Sequence, residues 1–194
     1  VIHHGYSSLS SREAAVEGIS GPYLLFVGDR KGYKNFSGLA EAFASLAKAD
    51  RGVRLVCAGS PLSDAETKLL NVLGIRDSVT AVQATNAQLL WLYRHAACFV
   101  YPSLYEGFGL PVLEAFGAGC PVAVSSTSCF PEVARDGAVY FDPSDPGSIA
   151  SAVAGILDDS DATRSLTRRA SAVLRGYSWE RTARQTAETY RKSM

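Results

Sequence analysis

The stretch that decides the fold reads PYLLFVG, residues 22–28, and is followed at once by DRKGYKNF, residues 29–36. Five consecutive apolar residues between a proline and a glycine predict a strand that is buried on both faces, as in a parallel sheet. Asn35 can then cap a helix whose apolar positions recur every three or four residues, from Phe36 to Leu46. A buried strand followed by an amphipathic helix is the repeating unit of α/β proteins.

The same alternation continues along the chain. We predict further strands at residues 53–58, 79–82, 98–101, 122–125 and 139–141, and further helices at residues 63–73, 86–95, 111–119, 149–157, 162–174 and 179–192. This spacing predicts a parallel sheet with right-handed crossovers and helices on both faces. Residues 1–21 are rich in serine and glycine, and only residues 12–17 look helical, so we interpret them as a linker that enters a domain of residues 22–194.

The composition excludes several classes of protein. Among 194 residues, 19 Lys and Arg balance 19 Asp and Glu, so the net charge of 0 gives no electrostatic basis for nucleic-acid binding. Hydrophobic residues make up 47% of the chain and charged residues 20%, which excludes wholesale disorder. No apolar stretch approaches the roughly 18–20 residues of a membrane span. We therefore expect a soluble globular domain.

The cysteines predict neither a disulfide framework nor a zinc site. Cys57 and Cys98 lie inside apolar runs, where cysteine behaves as a small hydrophobic residue, and Cys120 and Cys129 show no C-x-x-C spacing. His95 is the only histidine beyond position 4. Free structural thiols indicate a reducing, cytoplasmic compartment.

Two loops that leave predicted strand ends carry the chemistry. The first, GDRKGYKN of residues 28–35, places Arg30, Lys31 and Lys34 directly before a helix N-terminus, which suits an anion. The alternative is a solvated turn. Ligands of open parallel sheets bind beyond the carboxyl ends of the strands, so this loop is a candidate site.

The second loop, PSLYEGFGLPVLE of residues 102–114, combines two glycines with two carboxylates. Gly107 and Gly109 permit a ligand to approach the backbone, whose N–H groups can form an anion nest before a proline-started helix. Glu106 and Glu114 can accept the vicinal hydroxyls of a sugar or ribose. The alternative is a pair of ordinary acids that the helix dipole favours.

The segment E-GFGLPVL-E, residues 106–114, resembles the glutamate, seven residues, glutamate signature of family-4 (group 1) retaining glycosyltransferases. The resemblance extends over about residues 20–190 and includes FVG and KN of the first loop, YPS at 101–103, AFGAGCPV at 115–122, PEV at 131–133, DP at 142–143 and YSWE at 177–180.

The resemblance implies an architecture of two Rossmann-like domains that face a cleft, the GT-B type, of which this chain is the C-terminal, donor-binding half. It implies a retaining hexosyltransferase, mannosyl by preference, whose donor is a nucleoside-diphosphate sugar of the GDP-mannose or UDP-glucose type. The donor would bind without a metal or other cofactor. The acceptor, a glycan or lipid of polysaccharide assembly, would bind the absent half, which could also contact a membrane surface. The chain alone would then be inactive.

The resemblance also assigns residues. Lys34 would hold the pyrophosphate, Glu106 the transferred sugar and Glu114 the ribose, while Gly28 and the backbone of Gly107, Phe108, Gly109 and Leu110 would line the donor. Asp29 stands where the family often has arginine, which leaves Arg30 or Lys31 as the second cation. We favour Arg30, because its planar guanidinium matches phosphate geometry. In the family a glycine often follows the third strand; Gln83 stands there, which leaves the base-binding edge open.

Two other functions remain compatible with the residues. One is a nucleotide-sugar epimerase or a phosphorylase with the same two-domain plan, although no segment resembles a pyridoxal-binding lysine site. The other is a non-catalytic nucleotide-binding module, since one domain cannot complete a two-domain active site.

Overall fold

A computed structural model describes residues 1–10, 12–49 and 51–193, in which the chain forms six strands and eight α-helices. The strands are β1 (Tyr23–Val27), β2 (Arg54–Ala58), β3 (Val79–Val82), β4 (Cys98–Tyr101), β5 (Val122–Ser125) and β6 (Val139–Phe141). The helices are α1 (Phe36–Lys48), α2 (Asp64–Val72), α3 (Asn86–His95), α4 (Leu110–Ala118), α5 (Phe130–Ala134), α6 (Pro146–Asp158), α7 (Ser160–Leu174) and α8 (Trp179–Lys192). Among these described helices, none is long and apolar enough to cross a membrane.

The six strands form one parallel sheet in the order β3-β2-β1-β4-β5-β6. The chain runs outward from β1 to β3 and then returns to the other side of β1, where Leu24 pairs with Cys98 and Leu25 with Phe99. This order confirms the predicted Rossmann-like fold. The reversal sets the loops after β1 and β4 side by side at the edge where such sheets bind ligands.

Each face of the sheet carries its own core, because successive side chains of a strand point to opposite faces. Tyr23 and Leu25 of β1 belong to the core that α3, α4, α5 and α7 cover. Leu24 and Phe26 belong to the core beneath α1, α2 and α6. All four side chains are at most 1% exposed, which explains why β1 is apolar without interruption.

The helix starts show how the loops are fixed. Ser63 caps α2 in a capping box with Glu66. Asn35 occupies the position before α1 in a left-handed conformation with φ of 53°, but its side chain does not cap the helix. Its amide instead donates to the carbonyl of Pro143 at 2.7 Å, which joins the β1–α1 loop to the connection after β6.

The segment of residues 1–21, here called the N-terminal segment, packs on the domain although its described residues form no helix or strand. The Tyr6 N–H donates to the Tyr177 carbonyl at 3.2 Å, and the Ala14 N–H donates to the Ala87 carbonyl at 3.0 Å. Apolar side chains of the segment lie against the core beneath α4. The helix predicted at residues 12–17 therefore does not form, and the segment is an extended stretch that packs on the domain surface beside α4.

The four cysteines are free thiols. Three are buried, and burial raises the pKa of Cys57 and of Cys98 to about 12, so neither ionises at neutral pH. Their surroundings agree with the structural role predicted for them.

Candidate functional site

Lys34 and Glu106 meet where the loops after β1 and β4 adjoin. A single 3₁₀ turn, Gly32–Lys34, follows β1 and directs Lys34 across the sheet edge. Its Nζ lies 2.5 Å from Glu106 Oε1, and the two side chains are only 12% and 14% exposed. Two residues 72 positions apart thus form a nearly buried ion pair, which brings two of the predicted site residues together.

Tyr101, the last residue of β4, completes this pair. Lys34 Nζ donates to the Tyr101 hydroxyl at 2.8 Å, and that hydroxyl donates to Glu106 Oε1 at 2.9 Å. The ammonium also lies 4.9 Å from the centroid of the Tyr101 ring. Burial, with a contribution from the Glu106 charge, raises the pKa of Tyr101, so its hydroxyl remains a donor. We call these three residues the Lys34–Tyr101–Glu106 cluster.

The backbone of Glu106 is held by Ser128, a residue that none of the sequence motifs singles out. The Glu106 N–H donates to Ser128 Oγ at 3.0 Å, and the Ser128 hydroxyl donates to the Glu106 carbonyl at 2.8 Å. On the other side, the Leu104 N–H donates to the Tyr33 carbonyl at 2.8 Å. The loop after β4 is therefore fixed both to the segment after β5 and to the loop after β1.

Residues 107–110 present backbone toward the same edge. A Cβ built at Gly107 meets no described atom within 4 Å. Gly109 has φ of 83° and precedes α4, whose first turn no described side chain caps. The N–H groups of that turn can therefore receive an anion. The Phe108 ring turns toward the N-terminal segment, where it lies 5.1 Å from the His4 ring.

Glu114 lies in α4 and has a separate set of neighbours. Its Oε2 accepts a hydrogen bond from the buried Tyr93 hydroxyl at 3.1 Å. Burial raises the pKa of Glu114, and the hydrogen bond from Tyr93 only partly opposes that rise. This carboxylate is half-buried with one protein donor, so it has acceptor capacity left for a ligand.

The structure corrects the role expected of Arg30. Its Nε donates to Glu66 Oε1 at 2.8 Å, and its Nη2 donates to the carbonyls of Ser60 and Pro61 at 2.6 and 2.7 Å. The side chain is 2% exposed and packs over the Phe36 ring. Arg30 thus ties its loop to the start of α2. Its Nη1 is buried without a hydrogen-bond partner in the described part of the chain and would lie 3.8 Å from a Cβ at Gly59. Lys31 is 69% exposed and lies 3.6 Å from Asp29 Oδ2.

A cavity of about 250 Å³ adjoins Gly28 at the carboxyl ends of the first three strands. Gly28, Gly59, Gln83, Ala84 and Leu89 are among its lining residues. A Cβ at Gly59 would come within 2.5 Å of the Gly28 carbonyl, so the close approach of β1 and β2 here requires glycine. A Cβ at Gly28 would lie 4.0 Å from Lys34 Nζ, which connects the cavity with the cluster.

Carboxylates at this edge are not gathered in the way that a divalent cation requires. In the part of the chain that the structure describes, no three His, Cys, Asp or Glu side chains come together in a group that could hold a metal ion. The arrangement offers one cation, a helix N-terminus and two separate carboxylates, which suits an anionic, hydroxyl-rich ligand.

Comparison with known proteins gives a consistent result. The sequence model of the family "Glycosyl transferases group 1" matches residues 11–173. The "O-antigen chain mannosyltransferase B" of Escherichia coli is 34% identical over 174 residues, which are 87% of this chain and 45% of that protein. The "MMP alpha-(1->4)-mannosyltransferase" of Mycolicibacterium hassiacum is 35% identical over 170 residues, 83% of this chain and 40% of that protein.

A solved structure agrees at the level of the fold. Sucrose-phosphate synthase from Thermosynechococcus elongatus superposes with a TM-score of 0.80 and 24% identity, over 98% of this chain and 51% of that chain. The chain therefore spans about half the length of the proteins that it matches.

Proposed function

Because the chain belongs to the group 1 glycosyltransferases, we propose that it is the donor-binding half of a retaining hexosyltransferase. The observation that carries the proposal is the Lys34–Tyr101–Glu106 cluster, which places a cation and a carboxylate at the point where strand order reverses. A nucleoside-diphosphate sugar carries both features that such a pair recognises, a diphosphate and sugar hydroxyls. The proposed ligand is therefore the whole donor.

Lys34 and the N-terminus of α4 would stabilise the diphosphate as it leaves the sugar. The bond between the anomeric carbon and the phosphate oxygen breaks, and negative charge develops on that oxygen. An ammonium group and oriented N–H dipoles lower the energy of this charge when they are already in place. These groups supply the positive potential from the protein itself, so we propose donor binding that needs no metal ion.

The two glutamates would read different parts of the donor. Glu106, fixed by Ser128, would accept hydroxyls of the transferred sugar, and Glu114 would accept the ribose hydroxyls. The cavity beside Gly28 and Gln83 would take the base. Gly28 and the backbone of residues 107–110 would then contact the phosphates and the sugar.

The donor class is drawn from the relatives. Two proteins at 34% and 35% identity are described as mannosyltransferases, which favours GDP-mannose over UDP-glucose. Since the chain covers less than half of each, the acceptor, a glycan or lipid, would bind the remainder of the full-length protein. We propose that this chain alone binds donor without transferring sugar, because closing the site needs both walls of the cleft.

Calorimetric titration of the chain in EDTA with GDP, UDP, ADP, GDP-mannose and UDP-glucose tests the proposal. We expect GDP and GDP-mannose to bind most tightly. Lys34→Ala should weaken GDP binding about 10- to 100-fold, since a hydrogen bond to a charged group contributes roughly 1.5–3 kcal/mol. Lys31→Ala, in the same loop but exposed, should change it less than about twofold. Absence of nucleotide binding, or equal losses in both variants, would contradict the proposed site.

A further inference from the structure

The two groups assigned above to different parts of the donor are bound to each other. Lys34 Nζ makes its hydrogen bonds to Glu106 and Tyr101, and both charged side chains are nearly buried. Glu106 and Tyr101 take two of the three N–H donors of Lys34, so a diphosphate that takes over the ammonium must draw it away from Glu106 Oε1. A buried carboxylate left without its cation loses its main compensation for desolvation, so this exchange is unfavourable unless another donor replaces the ammonium.

We propose that the Lys34–Glu106 pair makes the diphosphate and sugar contacts interdependent. A nucleoside-diphosphate sugar replaces both partners at once, because its phosphates take Lys34 while its sugar hydroxyls donate to Glu106. A plain nucleoside diphosphate replaces only one and leaves Glu106 unpaired. The site therefore holds the donor more tightly than the product and favours product release after transfer. This inference rests on the proposed function.

Tyr101 is the positioning residue of this exchange. While Lys34 is paired, the Tyr101 oxygen accepts from the ammonium and its hydrogen points to Glu106 Oε1. When Lys34 leaves, Tyr101 can keep its bond to Oε1 and so hold the other carboxylate oxygen toward the sugar. The phenol then lacks a donor to its own oxygen.

Ser103 stands where that donor is needed. Its side chain is 0% exposed, and its hydroxyl makes no hydrogen bond of ordinary geometry in the described part of the chain. It lies close enough to Tyr101 for a hydroxyl contact that opposes the rise in the pKa of that tyrosine. Buried hydroxyls without a partner are uncommon in folded proteins. Donation from Ser103 Oγ to the Tyr101 oxygen would replace the bond from Lys34, so each group of the cluster remains satisfied when the donor binds.

The test is the isosteric variant Glu106→Gln, titrated with GDP and with GDP-mannose. The variant removes the carboxylate that competes for Lys34, so we expect plain GDP to bind about tenfold more tightly. Such a gain follows when the competent fraction of Lys34 rises from about one tenth to nearly all, since apparent affinity scales with that fraction. GDP-mannose should bind no more tightly, so the preference for donor over product should collapse. Unchanged or weaker GDP binding would overturn the inference.

Two controls identify the cause of a gain. Glu132→Gln removes the same charge from an exposed side chain of α5, which pairs with His3 at 2.7 Å. It should leave GDP affinity within about twofold, and an equal gain would mean a general effect of charge and overturn the inference. In the double variant Lys34→Ala/Glu106→Gln the gain should vanish, because it acts through Lys34. A gain that persists there would also overturn it.

The result separates this inference from the proposed function. If the proposed function fails, the unmodified chain binds no nucleotide or Lys34→Ala has no effect. If only the inference fails, Lys34→Ala weakens GDP binding while Glu106→Gln does not strengthen it. Thermal unfolding of each variant establishes that it is folded at the temperature of the titration.

Discussion

Glu114, the residue proposed to bind the ribose, is a carboxylate that the fold leaves only partly compensated. The carboxylate is half-buried, and Tyr93 supplies one hydrogen bond to it. Burial raises the pKa of Glu114, which means that the folded protein disfavours its charged form. Ribose hydroxyls would provide the missing donors, so the charge becomes compensated only in the complex.

Glu114→Gln should therefore stabilise the chain and weaken its binding of nucleotide. A carboxyl group with a raised pKa binds protons more readily in the folded state, so stability falls as pH rises through its titration. Glutamine escapes that loss, and we expect a gain on the order of 1 kcal/mol at pH 7 that disappears below about pH 4. Thermal unfolding from pH 4 to 8 measures it. GDP and GDP-mannose should lose affinity alike, and a loss confined to GDP-mannose would contradict the ribose assignment.

The residues that sequence reasoning missed or misplaced are those whose role depends on a distant partner. Tyr101 ends an apolar strand and therefore resembles any other core tyrosine, yet its hydroxyl joins Lys34 to Glu106. Arg30 was expected at a phosphate because its own loop is basic. Its actual partner, Glu66, lies 36 positions further along the chain, and local sequence contains no sign of that pairing.

The Arg30–Glu66 pair connects two elements, the β1–α1 loop and α2. The guanidinium reaches the two carbonyls before the helix, and Glu66 also closes the capping box with Ser63. Although burial opposes it, hydrogen bonds from Ser63 and Arg30 hold the pKa of Glu66 below its usual range. The pair thus stabilises the fold at pH values above the usual carboxyl pKa. Its contribution is lost as the pH falls through the lowered pKa of Glu66.

Arg30→Ala should destabilise the chain by about 2–4 kcal/mol, since it leaves a partly buried carboxylate and two carbonyls without their donor. Arg51→Ala is the matched control, because Arg51 pairs with the exposed Asp158 and its loss should lower stability far less than the loss of Arg30. Urea unfolding measures both. GDP affinity of the folded Arg30 variant should stay within about twofold. Unchanged stability with a large loss of GDP affinity would restore Arg30 as a phosphate contact.

The elements themselves followed from the sequence because they rest on local periodicity. The apolar runs of the six strands and the three-to-four spacing of the long helices can be recognised without knowing which elements pack together. The short helix α5, at Phe130–Ala134, is not among the predicted helices, since five residues are too few to establish a period. Lys34 and Glu106 were placed at one edge because parallel strands end there together, whereas their pairing required the strand order.

The N-terminal segment joins the two ends of the chain, because it packs on α4 and on the start of α8. The Trp179 indole N–H donates to Ser7 Oγ at 2.9 Å, and the Thr182 hydroxyl donates to the His3 carbonyl at 2.6 Å. Tyr6 lies against Gly117 of α4. Burial raises the pKa of the Tyr6 hydroxyl, and the nearby Glu114 charge adds to that rise. The segment thus borders the proposed ribose end of the site.

Gly117→Ala should displace this segment. A Cβ at Gly117 would lie 2.0 Å from the Tyr6 hydroxyl oxygen and 2.6 Å from its Cζ, so the tyrosine side chain must move. We expect a loss of about 1–3 kcal/mol from this overpacking and faster tryptic cleavage after Arg12, followed by mass spectrometry. Gly155→Ala in α6 is the control, because its Cβ meets no described atom within 4 Å. That change should stabilise the chain by about 0.5–1 kcal/mol, the difference between glycine and alanine within a helix. If both variants cleave at the wild-type rate, the contact between Tyr6 and α4 does not hold the segment in place.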